Sequence, residues 1–96
     1  MSYDLAFLDE ALKEWRKLDS ATREQFKAKL AERLQNPKIP SARLHGGKER
    51  YKIKLRNAGY RLVYQVNDRE LLVLVVAVGK RERNEVYKAA ERRKTD

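Results

Sequence analysis

Between Arg50 and Val66 the chain spells out one strand, a tight bend and a second strand. Arg50, Lys52, Lys54 and Arg56 alternate with Tyr51, Ile53 and Leu55, so cations fall on one side of a pleated strand and apolar residues on the other. Asn57-Ala58-Gly59 supplies hairpin chemistry, because Asn and Gly tolerate the positive φ that tight turns demand. After the bend, Tyr60, Leu62, Tyr64 and Val66 share one face, and Arg61, Val63 and Gln65 share the other. If the apolar faces meet one core, Lys52, Lys54 and Arg61 stand together on the opposite face. Such a row on a rigid sheet suits a phosphate, although the same residue types also serve solvation and edge protection.

The rest of the chain sharpens the choice. Residues 1–96 are expected to form a single domain with one modest core. The formal net charge is +9, with ten Lys and Arg against seven Asp and Glu over residues 1–48, and thirteen against seven over residues 49–96. The excess gathers in the half that carries the hairpin, which favours a polyanionic partner such as nucleic acid, or an acidic protein drawn by the same field. With no cysteine and one histidine, His45, neither a thiolate metal site nor a zinc site is expected, and no cofactor is called for. The N-terminus lacks a basic region followed by an apolar one, and the longest apolar run, Leu71–Val78, is too short to span a bilayer, so a cytoplasmic protein is expected.

Read in order, Tyr3–Phe7 alternates as a short first strand. Leu8, Leu12, Trp15 and Leu18 then recur at helical spacing behind Asp9 as a cap, and Phe26, Leu30 and Leu34 mark a second helix that Ser20 can cap and Asn36-Pro37 ends. Pro37–Glu49, with Pro40, Gly46 and Gly47, reads as a loop. Beyond the hairpin, a turn at Asn67-Asp68-Arg69 leads into Leu71–Val78, an aliphatic strand to be buried on both faces and ended by Gly79. A charged elbow, Lys80-Arg81-Glu82-Arg83, precedes a last helix over Arg83–Arg93, whose apolar side (Val86, Tyr87, Ala89 and Ala90) is thin. The order predicts an α+β fold: an antiparallel sheet backed on one face by an N-terminal helical hairpin, with the C-terminal helix partly covering the other.

Taken together, Tyr51-Lys52-Ile53-Lys54-Leu55-Arg56, Gly59-Tyr60-Arg61-Leu62-Val63-Tyr64 and Val78-Gly79-Lys80-Arg81-Glu82-Arg83 with Val86-Tyr87 resemble the RelE toxin family. The likeness extends to Ala11–Leu18 and covers nearly the whole chain, whereas Gly-Tyr-Arg by itself recurs across the wider RelE/ParE superfamily. The resemblance implies a RelE/ParE-like, microbial-RNase-like fold. It implies the toxin of a bacterial type II toxin–antitoxin pair, which enters the A site of the 70S ribosome and cuts the messenger RNA there. The expected partners are that ribosome, an acidic and partly disordered RelB-like antitoxin, and operator DNA indirectly through the antitoxin. Carried over residue by residue, the catalytic set falls on Lys52, Lys54, Arg61, Arg81 and Tyr87, all present here. One departure is His45 before Gly46, where the family often carries Arg or Lys; it bears on a phosphate or ribosomal-RNA contact rather than on the chemistry.

RNA cleavage by the neighbouring 2′-hydroxyl needs a base for that hydroxyl, cations for the phosphorane oxygens and an acid for the leaving oxygen. Lys54 is the base candidate: a free lysine has a pKa of about 10.4, and crowding by Lys52, Arg61 and Arg81 is expected to lower it. Lys52 and Arg61 can clamp phosphate. Arg81 can meet the leaving oxygen as the acid the resemblance implies or, since a guanidinium is an awkward proton donor, as a charge stabiliser. Tyr87 can stack on a base or hydrogen-bond the reacting ribose, or simply join Val86 in the core. Lys13, Arg16, Lys17, Lys27 and Lys29 on the helices, with His45 and Arg83, are expected to contact ribosomal RNA or message. Two other functions compete: a ParE-like inhibitor of DNA gyrase, which would not need this cationic set, and a non-catalytic RNA- or DNA-binding module.

Overall fold

The alternation over Arg50–Val66 folds as a hairpin of β2 (Arg50–Leu55) and β3 (Tyr60–Asn67), in register from Arg50 opposite Gln65 to Leu55 opposite Tyr60. The computed structural model describes residues 2–46 and 48–95, and of Arg83 the backbone alone; Gly47 of the expected loop lies outside the described residues. Gly59 carries the positive φ of the bend, +70°, and its N–H donates to the Leu55 carbonyl at 2.8 Å. β4 (Leu72–Lys80) pairs antiparallel with β3. It runs through Gly79 instead of stopping there. A Cβ at Gly79 would lie 3.1 Å from Val86, so the glycine serves close approach of the last helix rather than strand termination.

The sheet is mixed, in the order β1-β4-β3-β2. The antiparallel expectation holds for β2, β3 and β4, but β1 (Asp4–Phe7) lies parallel to β4 on the edge. The direction follows from connectivity: the chain leaves β1 into helices, and parallel neighbours need a long crossover of that kind. The crossover begins with α1 (Asp9–Arg16) and α2 (Ser20–Gln35). Asp19, not Ser20, caps α2, accepting from the Thr22 N–H at 3.2 Å, while α1 starts at Asp9 behind Leu8 without a side-chain cap.

Two apolar clusters flank the sheet. Ala11, Leu18, Phe26 and Leu30 from the helical hairpin meet Tyr51, Ile53, Leu55, Leu62, Tyr64, Val73 and Val75 on one face. Trp15 is half-buried between Phe7 and Phe26, with ring centroids 5.3 and 6.1 Å away. The other face is covered by α3 (Glu85–Arg92), whose Val86, Ala89 and Ala90 pack on Val63, Val76 and Ala77. The register slips between Val63 and Tyr64, leaving Val76 as an extra residue in a β-bulge. The bulge turns both Val76 and Ala77 toward α3, which gives β4 the two-sided burial expected of it. α3 is shorter than the expected Arg83–Arg93: a 3-10 turn over Glu82–Asn84 precedes it, with Asn84 at φ +57°.

Phe26 has no exposed surface and joins α2 to the sheet. Phe26→Ala should remove about 3–5 kcal/mol of stability, read as a lower urea midpoint at unchanged slope. A loss below about 1 kcal/mol would mean that the helix does not depend on this side chain.

Candidate active site

The face opposite the helical hairpin brings the expected cations together. Lys54 stands directly across from Arg61, and Arg61 in turn pairs with Gly79 on β4, so the three strands place Lys54, Arg61 and a glycine in one row. Lys52 lies two residues back on the same face of β2, opposite Val63. Like charges directly opposite one another are unfavourable in a sheet, and the effect is visible in Lys54. Its ammonium is held below the ordinary lysine range by Lys52 first, then by Arg61, with smaller contributions from burial and Arg56. Arg56 thus occupies the role that the sequence reading gave to Arg81.

α3 delivers Tyr87 to this row. Arg61 Nη1 donates to the Tyr87 hydroxyl at 3.2 Å, and the guanidinium carbon lies 5.8 Å from the ring centroid. Arg61 Nε is buried and finds no partner among the described residues. A buried cationic donor without an acceptor is costly in an isolated protein and well suited to an anionic ligand. Arg81 is exposed at the elbow, and its backbone N–H donates to Gly59 O at 3.0 Å, tying the elbow to the hairpin bend. Four of the five predicted catalytic residues therefore share one sheet face or the helix over it, and the fifth borders it.

The predicted contact residues are more scattered. Lys13, Arg16, Lys17, Lys27 and Lys29 are all exposed on α1, α2 and their junction, with Lys27 3.0 Å from Glu24. His45 is exposed, and with Leu44, Lys48, Arg50, Tyr87 and Glu91 it lines a cavity of about 450 Å³ between the loop and α3. The side chain of Arg83 lies outside the described residues. Arg50, first of the alternating cations, has its guanidinium committed within the protein: it is 8% exposed and donates to Gln65 Oε1 at 2.9 Å and to the Ala90 and Arg93 carbonyls at the end of α3. No group of His, Asp or Glu side chains that could hold a metal ion occurs among the described residues.

The sequence reading did not single out Arg33, Glu14 or Arg93. Arg33 Nη1 reaches from α2 to the Lys52 carbonyl at 3.1 Å and the Tyr64 hydroxyl at 2.8 Å. Arg93 forms a two-pronged pair with Glu14, at 2.7 and 3.1 Å. Their only sequence signal is a charge at the edge of an apolar stripe, which does not name a partner.

Comparisons with known proteins agree with this geometry. Residues 5–85 match the family described as the ParE toxin of type II toxin–antitoxin system, parDE. The mRNA interferase toxin RelE of Escherichia coli strain K12 is 57% identical over 93 residues, covering 97% of this chain and 98% of that protein. The free E. coli toxin RelE, in a form with two arginines replaced by alanine, superposes with a TM-score of 0.90 at 54% identity, covering 99% of this chain and 100% of that one. The toxin in the intact E. coli RelBE toxin–antitoxin complex gives 0.82 at 56% identity, over 85% and 100% of the two chains. An archaeal RelE from a complex with RelB, at 20% identity and a TM-score of 0.65, shares the fold. Near-complete coverage at this identity leaves one assignment: the chain belongs to the RelE family of type II toxins, within the RelE/ParE superfamily.

Proposed function

We propose that residues 1–96 act as one toxin domain: a ribosome-dependent endoribonuclease that cuts messenger RNA in the A site and so stops translation. The observation that carries this reading is Lys54 set across the hairpin from Arg61, with Tyr87 bonded to the same arginine. It is joined by 57% identity to a protein named an mRNA interferase. Lys54 takes the proton of the 2′-hydroxyl, and the freed oxygen bonds to the adjacent phosphorus. The bond to the 5′-oxygen breaks and that oxygen takes a proton from solvent water, while Lys54 later returns its own to solvent, leaving a 2′,3′-cyclic phosphate and a 5′-hydroxyl. Lys52 and Arg61 neutralise the phosphorane, Arg81 stabilises charge on the leaving oxygen, and Tyr87 orients the reacting nucleotide. The reaction so written draws on no cofactor.

The partners follow from the same reading. Ribosomal RNA meets Lys13, Arg16, Lys17, Lys27, Lys29, His45 and Arg83. A RelB-like antitoxin, acidic and partly disordered when free, neutralises the toxin, and operator DNA is reached through it. Support comes from the net charge of +9 and from the E. coli RelBE complex. The place of action is the cytoplasm, where messages are translated; no helix among the described residues is long and apolar enough to cross a membrane. The ParE description of the matching family keeps gyrase inhibition as the second reading. Double-stranded DNA breaks in expressing cells, in place of cuts within codons, would favour it.

Three outcomes test the proposal. Lys54→Ala should lower single-turnover cleavage by more than about tenfold while ribosome binding stays nearly intact; collapse of binding with an unchanged rate would make Lys54 a docking residue. The neutral amine is the active base, so a depressed Lys54 makes active enzyme available at lower pH. Lys52→Ala removes the largest repulsion, and the rising, acidic limb of the pH–rate profile should move to higher pH, more than with Arg56→Ala. An unmoved limb would exclude Lys54 as the titrating base. Finally, one message should be cut at least about a thousandfold faster in a ribosome with an empty A site than free, on the order of 4 kcal/mol of barrier. The reason is that free RNA seldom places its 2′-oxygen in line with the leaving oxygen, whereas the decoding site holds a codon in place. Equal rates would leave a general ribonuclease.

A further inference from the structure

β1 covers only Leu72–Val75 of β4, and the last bond along that edge runs from the Leu8 N–H to the Val75 carbonyl. Beyond it, β4 runs on to Lys80 with that edge paired by no strand among the described residues. Glu14 of α1 and Arg93, just past α3, fill the first part of this gap. Glu14 Oε1 accepts from the Val78 N–H at 3.1 Å, and Arg93 Nη1 donates to the Val76 carbonyl at 2.8 Å. The two side chains are themselves joined by the two-pronged pair, and Glu10 Oε2 lies 3.2 Å from Arg93 Nε. One carboxylate and one guanidinium thus supply the acceptor and donor that a neighbouring strand would have supplied.

The arrangement bears on Tyr87. Arg93 follows the last turn of α3 and its side chain is 11% exposed. Tyr87 lies six residues earlier, about 9 Å along the axis. At the other end of α3, Asn84 is left-handed and gives no side-chain cap. The buried apolar side of α3 is Val86, Ala89 and Ala90 with Tyr87 packed beside them, and Arg50 donates to the Ala90 and Arg93 carbonyls at its end; the apolar contact alone is too thin to fix the helix's rotation and axial position. We propose that Glu14 and Arg93 are a positioning pair: by plugging the open edge of β4 they set α3 in place and hold Tyr87 against Arg61. The activity arm of its test rests on the nuclease reading above.

The experiment uses the full chain and the variants Glu14→Gln, Arg93→Ala and Arg93→Lys. Glu14→Gln keeps the shape and loses the charge, while Arg93→Lys keeps the charge and loses the fork. The expected result is a saturated cleavage rate lower by about tenfold for Glu14→Gln and Arg93→Ala, with ribosome affinity within about twofold of the parent. Arg93→Lys should fall between. On a Tyr87→Ala background, Arg93→Ala should cost nothing further, because its effect passes through Tyr87. In the free protein, the nuclear Overhauser contact between the Tyr87 ring and the Arg61 side chain should weaken in Glu14→Gln while Phe26 and Leu62 signals stay in place. Additive losses with Tyr87→Ala, or an undiminished Tyr87–Arg61 contact, would overturn the proposal. If the parent itself cuts no ribosome-bound message, the nuclease reading fails and the Tyr87–Arg61 contact alone decides this one.

Discussion

The register of the hairpin, which sets Lys54 directly across from Arg61, is the constraint on which the rest of the site depends. Direct cross-strand pairing of like charges works against the sheet that carries it. It is tolerated because the same strands bury Tyr51, Ile53, Leu55, Leu62 and Tyr64 on their other side. Burial of this kind contributes about 1.5–3 kcal/mol per large side chain, well above the fraction of a kcal/mol at stake in a cross-strand pair. A slip of one residue would exchange the two faces, so the apolar pattern that stabilises the hairpin also fixes where the cations stand. Stability on one face and electrostatic tension on the other come from a single register.

A cationic face without cover would be only a binding surface. The bulge at Val76 changes that, because it turns two consecutive β4 residues toward α3 and gives a short helix somewhere to sit. Gly79 lets Val86 come close, and Arg50 leaves the cationic row to hold the last carbonyls of the helix. With α3 seated, a tyrosine stands over Arg61, and an aromatic ring joins a group of lysines and arginines. Four strands and a single eight-residue helix are enough for the assembly.

What the sequence revealed and what it hid follow a physical rule. Period-two alternation assigned both faces of the hairpin, since each side chain's direction depends only on its own strand. The helical stripes of Leu8–Leu18 and Phe26–Leu34 were legible for the same reason. The parallel direction of β1 was not, because its partners on β4 lie 68 residues further along the chain, from Asp4 opposite Leu72 to Phe7 opposite Val75. The fate of Arg50 was equally hidden: its alternation matched that of Lys52, but its bonds end on the Ala90 and Arg93 carbonyls. Glu14 and Arg93 are 79 residues apart and meet through side chains and strand-edge amides, which leave no period to detect. The candidate catalytic residues came from the family resemblance together with the pattern, and neither named what holds α3 in place.

The electrostatics contain a tension that bears on how such a site works. The field that depresses Lys54 belongs to the free protein, with Lys52, Arg61 and Arg56 unneutralised. A phosphate entering the row brings negative charge close to the same groups and cancels part of their repulsion, so substrate raises the proton affinity of the proposed base. Up to a point this helps, because a base must hold the proton it takes. Past that point the depression that favours the neutral amine is lost. The balance is best where the phosphate engages Arg61 and Lys52 more closely than Lys54. Arg61 is suited to that role, with a buried Nε that has no partner among the described residues and a ring at its back. The proposed clamp and the proposed base are one cross-strand step apart, so where a phosphate sits between them decides how much of the depression on Lys54 is left once it binds.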